Sequence, residues 1–349
     1  MNLTRPILVT GAGVGGLTAA LALARHGFAV QVYERRELEE ITANAGFGHT
    51  IWSNATTSLR TIGVGERLLA RAEPMLGFES RNSRQQVMFR TNTADSIWPG
   101  CAPTVGIGRG DLIGADGIRS TILEQLHGRI PAVYTGRSTY RGIAPGACGL
   151  KRGTVHLFSD PDSRFGGGAW LIGGDRVVWT LSCERTPGTE DPQGIPAWAR
   201  EIADVLRGPA PTFVRNTSQE TISRIDVYYH EWLDRWGEGP VTLLGDAAHA
   251  LPTDLGQGAC MAIEDGVVLA DCLATAVDVH SGLREYERRR RERVHWVREH
   301  VLRVNRFKPI RNKALRWVVG KIAKVVVASS APKMWREVQR PPELTAERS

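Results

Sequence analysis

Nowhere in the 349 residues does an apolar run approach the roughly 20 needed to span a bilayer, which excludes a membrane-spanning helix on sequence grounds. The first residues lack the basic region, apolar core and small-residue cleavage site of a secretory signal, because Gly11 interrupts the opening apolar run. A cytoplasmic location is the expectation. Cysteine is scarce: Cys101, Cys148, Cys183, Cys260 and Cys272 are odd in number and have no metal-ligand spacing. That argues against a disulfide framework and a cysteine-held metal, leaving reduced thiols and no metal site. Basic excess is also missing from most of the chain. The formal net charge is +7, yet 19 Lys or Arg against 7 Asp or Glu follow residue 282, leaving 25 against 30 before it. No nucleic-acid-binding motif accompanies the basic tail, so nucleic acid is not an expected partner. At 42% hydrophobic and 23% charged, the chain reads as globular and long enough for two domains, or for one interrupted by another.

Ile7 to Thr10 is a short apolar run, followed by G-A-G-V-G-G from Gly11 to Gly16 and a helical pattern from about Leu17 to His26. Gly27 suits the helix end, and Phe28 to Tyr33 alternates as a second strand that ends in Glu34. This is a βαβ unit with the dinucleotide fingerprint. Gly11, Gly13, Val14, Gly15 and Gly16 make the tight turn and the pyrophosphate approach, and an acid about 20 residues on meets ribose hydroxyls. The fingerprint suits FAD and NAD equally. Arg35 and Arg36 either steady an adenosine end or are solvated loop charges.

Val241 to Asp265, VTLLGDAAHALPTDLGQGACMAIED, reads as a buried strand, a turn at Gly245–Asp246, a loop with Pro252, and a helix with a glycine-rich start. The unpartnered amides of such a start favour an anionic or electron-rich ligand, and Gly256 and Gly258 let a flat ring approach the backbone. On the glycines alone an ordinary strand-loop-helix corner is the simpler reading.

The whole string, G-D-A-A-H, then L-G-Q-G-A-C, then A-I-E-D, resembles the flavin-contacting motif of the single-component FAD-dependent aromatic hydroxylases, which are p-hydroxybenzoate hydroxylase-like and include salicylate hydroxylase and zeaxanthin epoxidase types. The resemblance implies that Asp246 reaches the ribityl chain and that Gly256, Gln257, Gly258 and Ala259 face the flavin ring. It also makes A-G-F-G-H-T-I-W-S-N, with Gly46, a second flavin-approach loop, and A-D-G-I-R-S, with Asp116, the family's D-G motif for FAD and pyridine nucleotide. His49 falls beside the flavin or substrate, where it either assists deprotonation of a phenol or is satisfied by its surroundings. His49 and Thr253 are the candidate catalytic residues. Pro252 precedes Thr253, where relatives have Thr-Pro or Pro-Pro, so the substrate does not carry over.

A second departure is larger. Relatives carry an Arg-x-x-Leu helix start, whose Arg contacts the pyrophosphate, then a helix, an edge strand and an antiparallel excursion before A-D-G. Here G-I-G-R-G-D-L runs directly into I-G-A-D-G, as if two similar words had fused near residues 109–111, with loss of on the order of fifty residues. Arg109, at the junction, is the pyrophosphate candidate. The loss leaves the strand of Glu34 as a sheet edge.

From Pro131 to about Gly239, short β-like runs separated by Gly and Pro turns suggest an antiparallel sheet, with Ile195 to Leu206 helical. Trp170, Trp179 and Tyr228 are candidates for lining the substrate pocket, with core packing the default for each aromatic. Leu283 to Asn305 is strongly helical.

The expected fold is α/β: a Rossmann-like FAD-binding parallel sheet from 1–130 plus 240–282, lacking an edge strand; a substrate-binding antiparallel sheet from 131–239; and a basic C-terminal helical region from 283–340. The resemblance implies an FAD-dependent monooxygenase reduced by NADH or NADPH. Molecular oxygen is its co-substrate, and it hydroxylates an aromatic, or epoxidises an isoprenoid or polyketide-like small molecule, through a flavin hydroperoxide. A monomer or homodimer is expected. The alternatives are a flavin-binding member that has lost oxygenation, or a non-enzymatic remnant. A flavin-dependent halogenase shares the fold, but its W-x-W-x-I-P word is absent.

Overall fold

The computed structural model describes residues 5–37, 48–108, 118, 120–160, 164–305 and 332–345. Strand β1 (Ile7–Thr10) leads through the glycine loop into helix α1 (Val14–Arg25), and β2 (Val30–Tyr33) returns parallel to β1 with Ile7 opposite Val30. A Cβ on Gly16 would sit 2.0 Å from the Gly11 carbonyl oxygen, so only glycine lets α1 start this close to the turn. Strand β3 (Gly48–Ile51) is followed by α2 (Ser53–Thr61) and α3 (Gly65–Leu69), and then by β4 (Glu73–Pro74), β5 (Gly77–Asn82), β6 (Val87–Asn92) and β7 (Val105–Gly108). Ser120 caps α4 (Thr121–His127) by accepting the Leu123 amide at 3.2 Å.

The larger sheet takes β8 (Val133–Pro145), β9 (Thr154–Ser159), β10 (Phe165–Ile172), β11 (Arg176–Glu184) and, after α5 (Ile195–Leu206) and α6 (Ala210–Asn216), β12 (Ser223–Tyr229). Its order is β12-β8-β11-β10-β9-β5-β6. Every pairing is antiparallel except β5 with β9, which is parallel. This sheet therefore draws two strands from before residue 131, a segment that the sequence assigns to the cofactor half. The hairpin β5–β6 joins it because β9 offers a free edge.

A short hairpin, β13 (Gly237–Glu238) and β14 (Val241–Thr242), precedes α7 (Asp246–His249), α8 (Gly258–Thr275) and α9 (Val279–Asn305). Residues 332–338 form a last helix, α10. The buried strand expected over Val241–Leu244 is thus two residues long and pairs with its own hairpin partner. Val241 is 37% exposed, and the Leu243 amide, donating to the Trp236 carbonyl at 3.1 Å, continues this hairpin pairing. Among the described residues the parallel sheet consists of β1 and β2 alone. Leu8, Val32 and Tyr33 remain exposed on it, at 60%, 39% and 55%.

Two cores divide the molecule. One gathers α1, α2, α8, α9 and α10 around Trp52, Trp236 and Tyr286. Helix α1 reaches α8 at Gly266, where a Cβ would lie 2.6 Å from the Ala19 nitrogen. The other core lies between the larger sheet and α5–α6. No described helix is long and apolar enough to cross a membrane.

Candidate active site

One cavity of about 1190 Å³ runs between the two halves. It exceeds the roughly 300–1,000 Å³ usual for a small-ligand pocket, leaving room for a large cofactor and a second molecule. Gly11, Gly13, Val14, Gly15 and Gly16 line one end. Asp246, Gly256, Gly258 and Ala259 line its middle, and His49, Trp170, Pro252 and Thr253 lie beyond them. Three stretches distant in sequence therefore face one space.

Asp246 is exposed in area, but that area is cavity wall. Enclosure by protein raises its carboxyl above the ordinary range, opposed by His249 and His230. Its carboxylate accepts no hydrogen bond from the described residues. An acceptor held this way in a largely apolar cavity suits a ligand hydroxyl. The glycine loop, in turn, is a cradle that any Cβ at Gly16 would fill. These observations fit an extended dinucleotide cofactor.

Behind the middle of the cavity sits a buried ionic lattice. Asp265 accepts the Gly245 amide at 2.8 Å, shares a 2.6 Å hydrogen bond with His249 Nε2, and takes Arg290 Nε at 2.7 Å. Arg290 also binds Glu264 at 2.5 Å, and Glu264 accepts from Asn54. Burial pushes the Asp265 carboxyl up, but His249 and Arg290 outweigh it and hold it at about 2. The two acids that end the A-I-E-D word thus face α9 and the G-D turn rather than the cavity, and they fix the angle at which Asp246 is presented. Arg290, which locks both, was not legible as a functional residue within a run of four arginines.

The other sequence candidates fall in several places. Gln257 is buried behind the wall, accepting from Asn54 at 3.3 Å. Glu34 is folded back on the glycine loop, accepting the Ala12 amide at 3.0 Å and Arg36 Nε at 3.0 Å. Arg36 above all holds the Glu34 carboxyl down to about 2. Arg35 is exposed beside it. Trp179 is fully buried on the far face of the sheet, its Nε1 donating to Thr217 at 2.8 Å, so it packs under α6 and does not line the cavity. Side chains alternate along β11, and Thr180 takes the cavity face instead. Tyr228 packs tilted against Tyr134, their centroids 5.2 Å apart, and is not part of the cavity wall. Gly46, Arg109 and Asp116 lie outside the described residues.

Several wall residues escaped the sequence reading. Phe78 and Trp335 stack with Trp52 in a three-ring face, with centroids 4.9 to 5.7 Å apart. Helix α10 is tied there by Gln339, which accepts from Thr104 at 2.8 Å and donates to the Thr93 carbonyl at 3.0 Å. His230, buried behind the wall and not part of it, lies beside Asp246 and meets the backbone of Ile118. Periodicity in β8 carries a readable signal for Arg137, Thr139 and Arg141, which share the cavity face two residues apart.

A family model described as FAD binding domain matches residues 4–102 and 112–300. This chain belongs to the FAD-dependent aromatic hydroxylase family. As a member it is an FAD-binding oxidoreductase of the monooxygenase type. The aurachin C monooxygenase/isomerase of Stigmatella aurantiaca is 26% identical over 364 positions, covering 92% of this chain and 94% of that protein. The chloroplastic zeaxanthin epoxidase of Spinacia oleracea is 30% identical over 370 positions, covering 82% of this chain and 52% of that protein. The chain thus spans about half the length of the zeaxanthin epoxidases it matches. Klebsiella pneumoniae HpxO, solved with FAD and uric acid, superposes with a TM-score of 0.84 at 20% identity, covering 96% of each chain. Both sequence alignments are longer than this chain, so those relatives carry residues opposite a gap in it. The stretch 103–111, which contains Arg109, is unmatched by the family model.

Proposed function

We propose that the protein is an NAD(P)H-consuming, FAD-dependent monooxygenase that inserts one atom of molecular oxygen into an electron-rich aromatic or alkene-bearing small molecule. The observation that carries this reading is the single cavity, which joins the glycine loop to Asp246 and the start of α8 and continues beneath the larger sheet. FAD, when bound, supplies the redox and oxygen-transfer chemistry, with NADH or NADPH as reductant.

The chain's own residues bind, orient and exclude water. Gly11 to Gly16 admit the pyrophosphate to the N-terminus of α1. Asp246 accepts a ribityl hydroxyl. Gly256, Gly258 and Ala259 offer backbone to the flavin edge, with Gln257 supporting them from behind. Glu34 turns toward the ribose by exchanging its Ala12 contact, with Arg35 at the adenosine end. Gly46, Arg109 and Asp116 keep the roles that the family resemblance gives them. His49 and Thr253 line the cavity at the reacting centre, and Pro252, Trp170, Trp52 and Trp335 flank the substrate. HpxO was solved with a flat nitrogen heterocycle, which supports an aromatic substrate here. An inactive member or a remnant is not favoured, because both glycine-rich cradles remain and open on one space.

The test is the absorbance spectrum of the full chain after FAD is added and the excess removed, followed by NAD(P)H oxidation with a panel of phenols and heteroaromatics. Near-stoichiometric flavin with shifted bands and substrate-stimulated oxidation is expected. A folded chain that retains no flavin would overturn the reading.

A further inference from the structure

The cavity contains two opposite charges that do not meet. Asp254 lies in the 3-10 turn Thr253–Leu255, between α7 and α8. Arg137 lies on β8, on the cavity face of the larger sheet. Both line the cavity, and among the described residues neither has an ion-pair partner within 4.0 Å. Arg137 is nevertheless the charge that acts on Asp254 across the space.

The turn that carries Asp254 is tied by two hydrogen bonds. Trp52 Nε1, buried, donates to the Leu255 carbonyl at 3.0 Å, and the Gly256 amide closes the turn on Thr253 at 3.0 Å. Facing it, β8 and β11 present hydroxyls beside the arginine: Thr139 lies opposite Ser182 and Arg141 opposite Thr180 in the register, all on the cavity wall. Trp52, Phe78 and Trp335 add a flat apolar side.

Resting on the monooxygenase reading above, we infer that Asp254 is a specificity-determining residue. It accepts the ring N–H of a planar nitrogen heterocycle, whose carbonyl oxygen is taken by Arg137 and its neighbouring hydroxyls. A hydrocarbon polyene would displace water from both charges and satisfy neither, which costs free energy. A simple phenol would satisfy the donor wall and leave the carboxylate without a partner. A ring with N–H at one end and a conjugated carbonyl oxygen at the other, a vinylogous amide, satisfies both. Enclosure also raises the Asp254 carboxyl above its usual range, with Arg137 opposing, which strengthens its hold on a donor.

The probes are 4-quinolone and N-methyl-4-quinolone, titrated into the FAD-loaded full chain and read by the change in the flavin spectrum. The unmodified protein should prefer the N–H ligand by on the order of 10- to 100-fold, the range of a hydrogen bond to a charged group. In Asp254→Ala this preference should fall below about twofold, and in Asp254→Asn, which keeps an acceptor but not the charge, it should be intermediate. Arg137→Gln should weaken both ligands and leave their ratio unchanged. Retained flavin verifies the fold of each variant, and Asp254→Asn replaces the alanine variant if that one loses flavin. Preference below twofold in the unmodified protein, or preference unchanged in the variants, overturns the assignment while the monooxygenase reading stands. Failure of the unmodified chain to retain FAD overturns both.

Discussion

Glu34, at the β1–β2 end of the cavity, and Asp265, behind its middle, both have carboxyls held at about 2, but for different reasons. At Glu34 the largest influence is a hydrogen bond from Arg36 two residues along, beside a strand that among the described residues is a sheet edge. At Asp265 burial works against ionisation and is overcome by His249 and Arg290 from two other elements. The first is a local arrangement that water can replace; the second is a tertiary lattice that it cannot. Equal acidities therefore carry unequal structural weight, and the two ends of the cavity should respond differently to the same kind of change.

The largest effect is expected from Arg290→Met. It leaves Glu264 and Asp265 buried without their shared cation, and urea unfolding should show a loss of about 3–5 kcal/mol. If stability holds, the lattice is not what fixes this end. Asp265→Asn comes next, with a loss of roughly 2–3 kcal/mol at neutral pH. The depressed carboxyl contributes its full stability above the unfolded value of about 4, and that contribution is lost as pH falls toward 2. The variant should therefore lose the acid sensitivity that the unmodified protein shows in this window. An unchanged pH profile would contradict the assignment.

Glu34→Gln removes the same charge at the open end. Partial exposure discounts its worth, so thermal melting should change by under about 1 kcal/mol. FAD affinity, followed by flavin fluorescence, should drop about five- to tenfold if the side chain serves the ribose. Equal losses of stability at Glu34 and Asp265 would erase the contrast. Smallest is Val32→Lys on the exposed face of β2, expected to alter stability by within about 0.5 kcal/mol. Light scattering should show less self-association if this edge strand promotes it.

Much of the cofactor half was legible from residues 7–34 and 241–265, because glycine turns and helix starts are local devices whose spacing is visible along the chain. The strands over 154–184 and the helix Ile195–Leu206 were also readable, from alternation and helical period. Which face of a strand meets the cavity was not. Trp179 and Thr180 are neighbours in sequence and lie on opposite sides of the sheet, and only pairing between strands decides which turns inward. The same holds for Trp335, brought 283 residues along the chain onto Trp52 by α10.

By itself the sequence determined the βαβ unit and the glycine-rich start of α8, since each follows from short-range sterics and backbone conformation, and its motifs carried the family resemblance. Tertiary structure alone decided that Glu264 and Asp265 serve Arg290, that β5 and β6 extend the larger sheet, and that Asp254 faces Arg137 across one space. Those outcomes depend on which distant surfaces bury one another, and burial is a property of the whole packed chain.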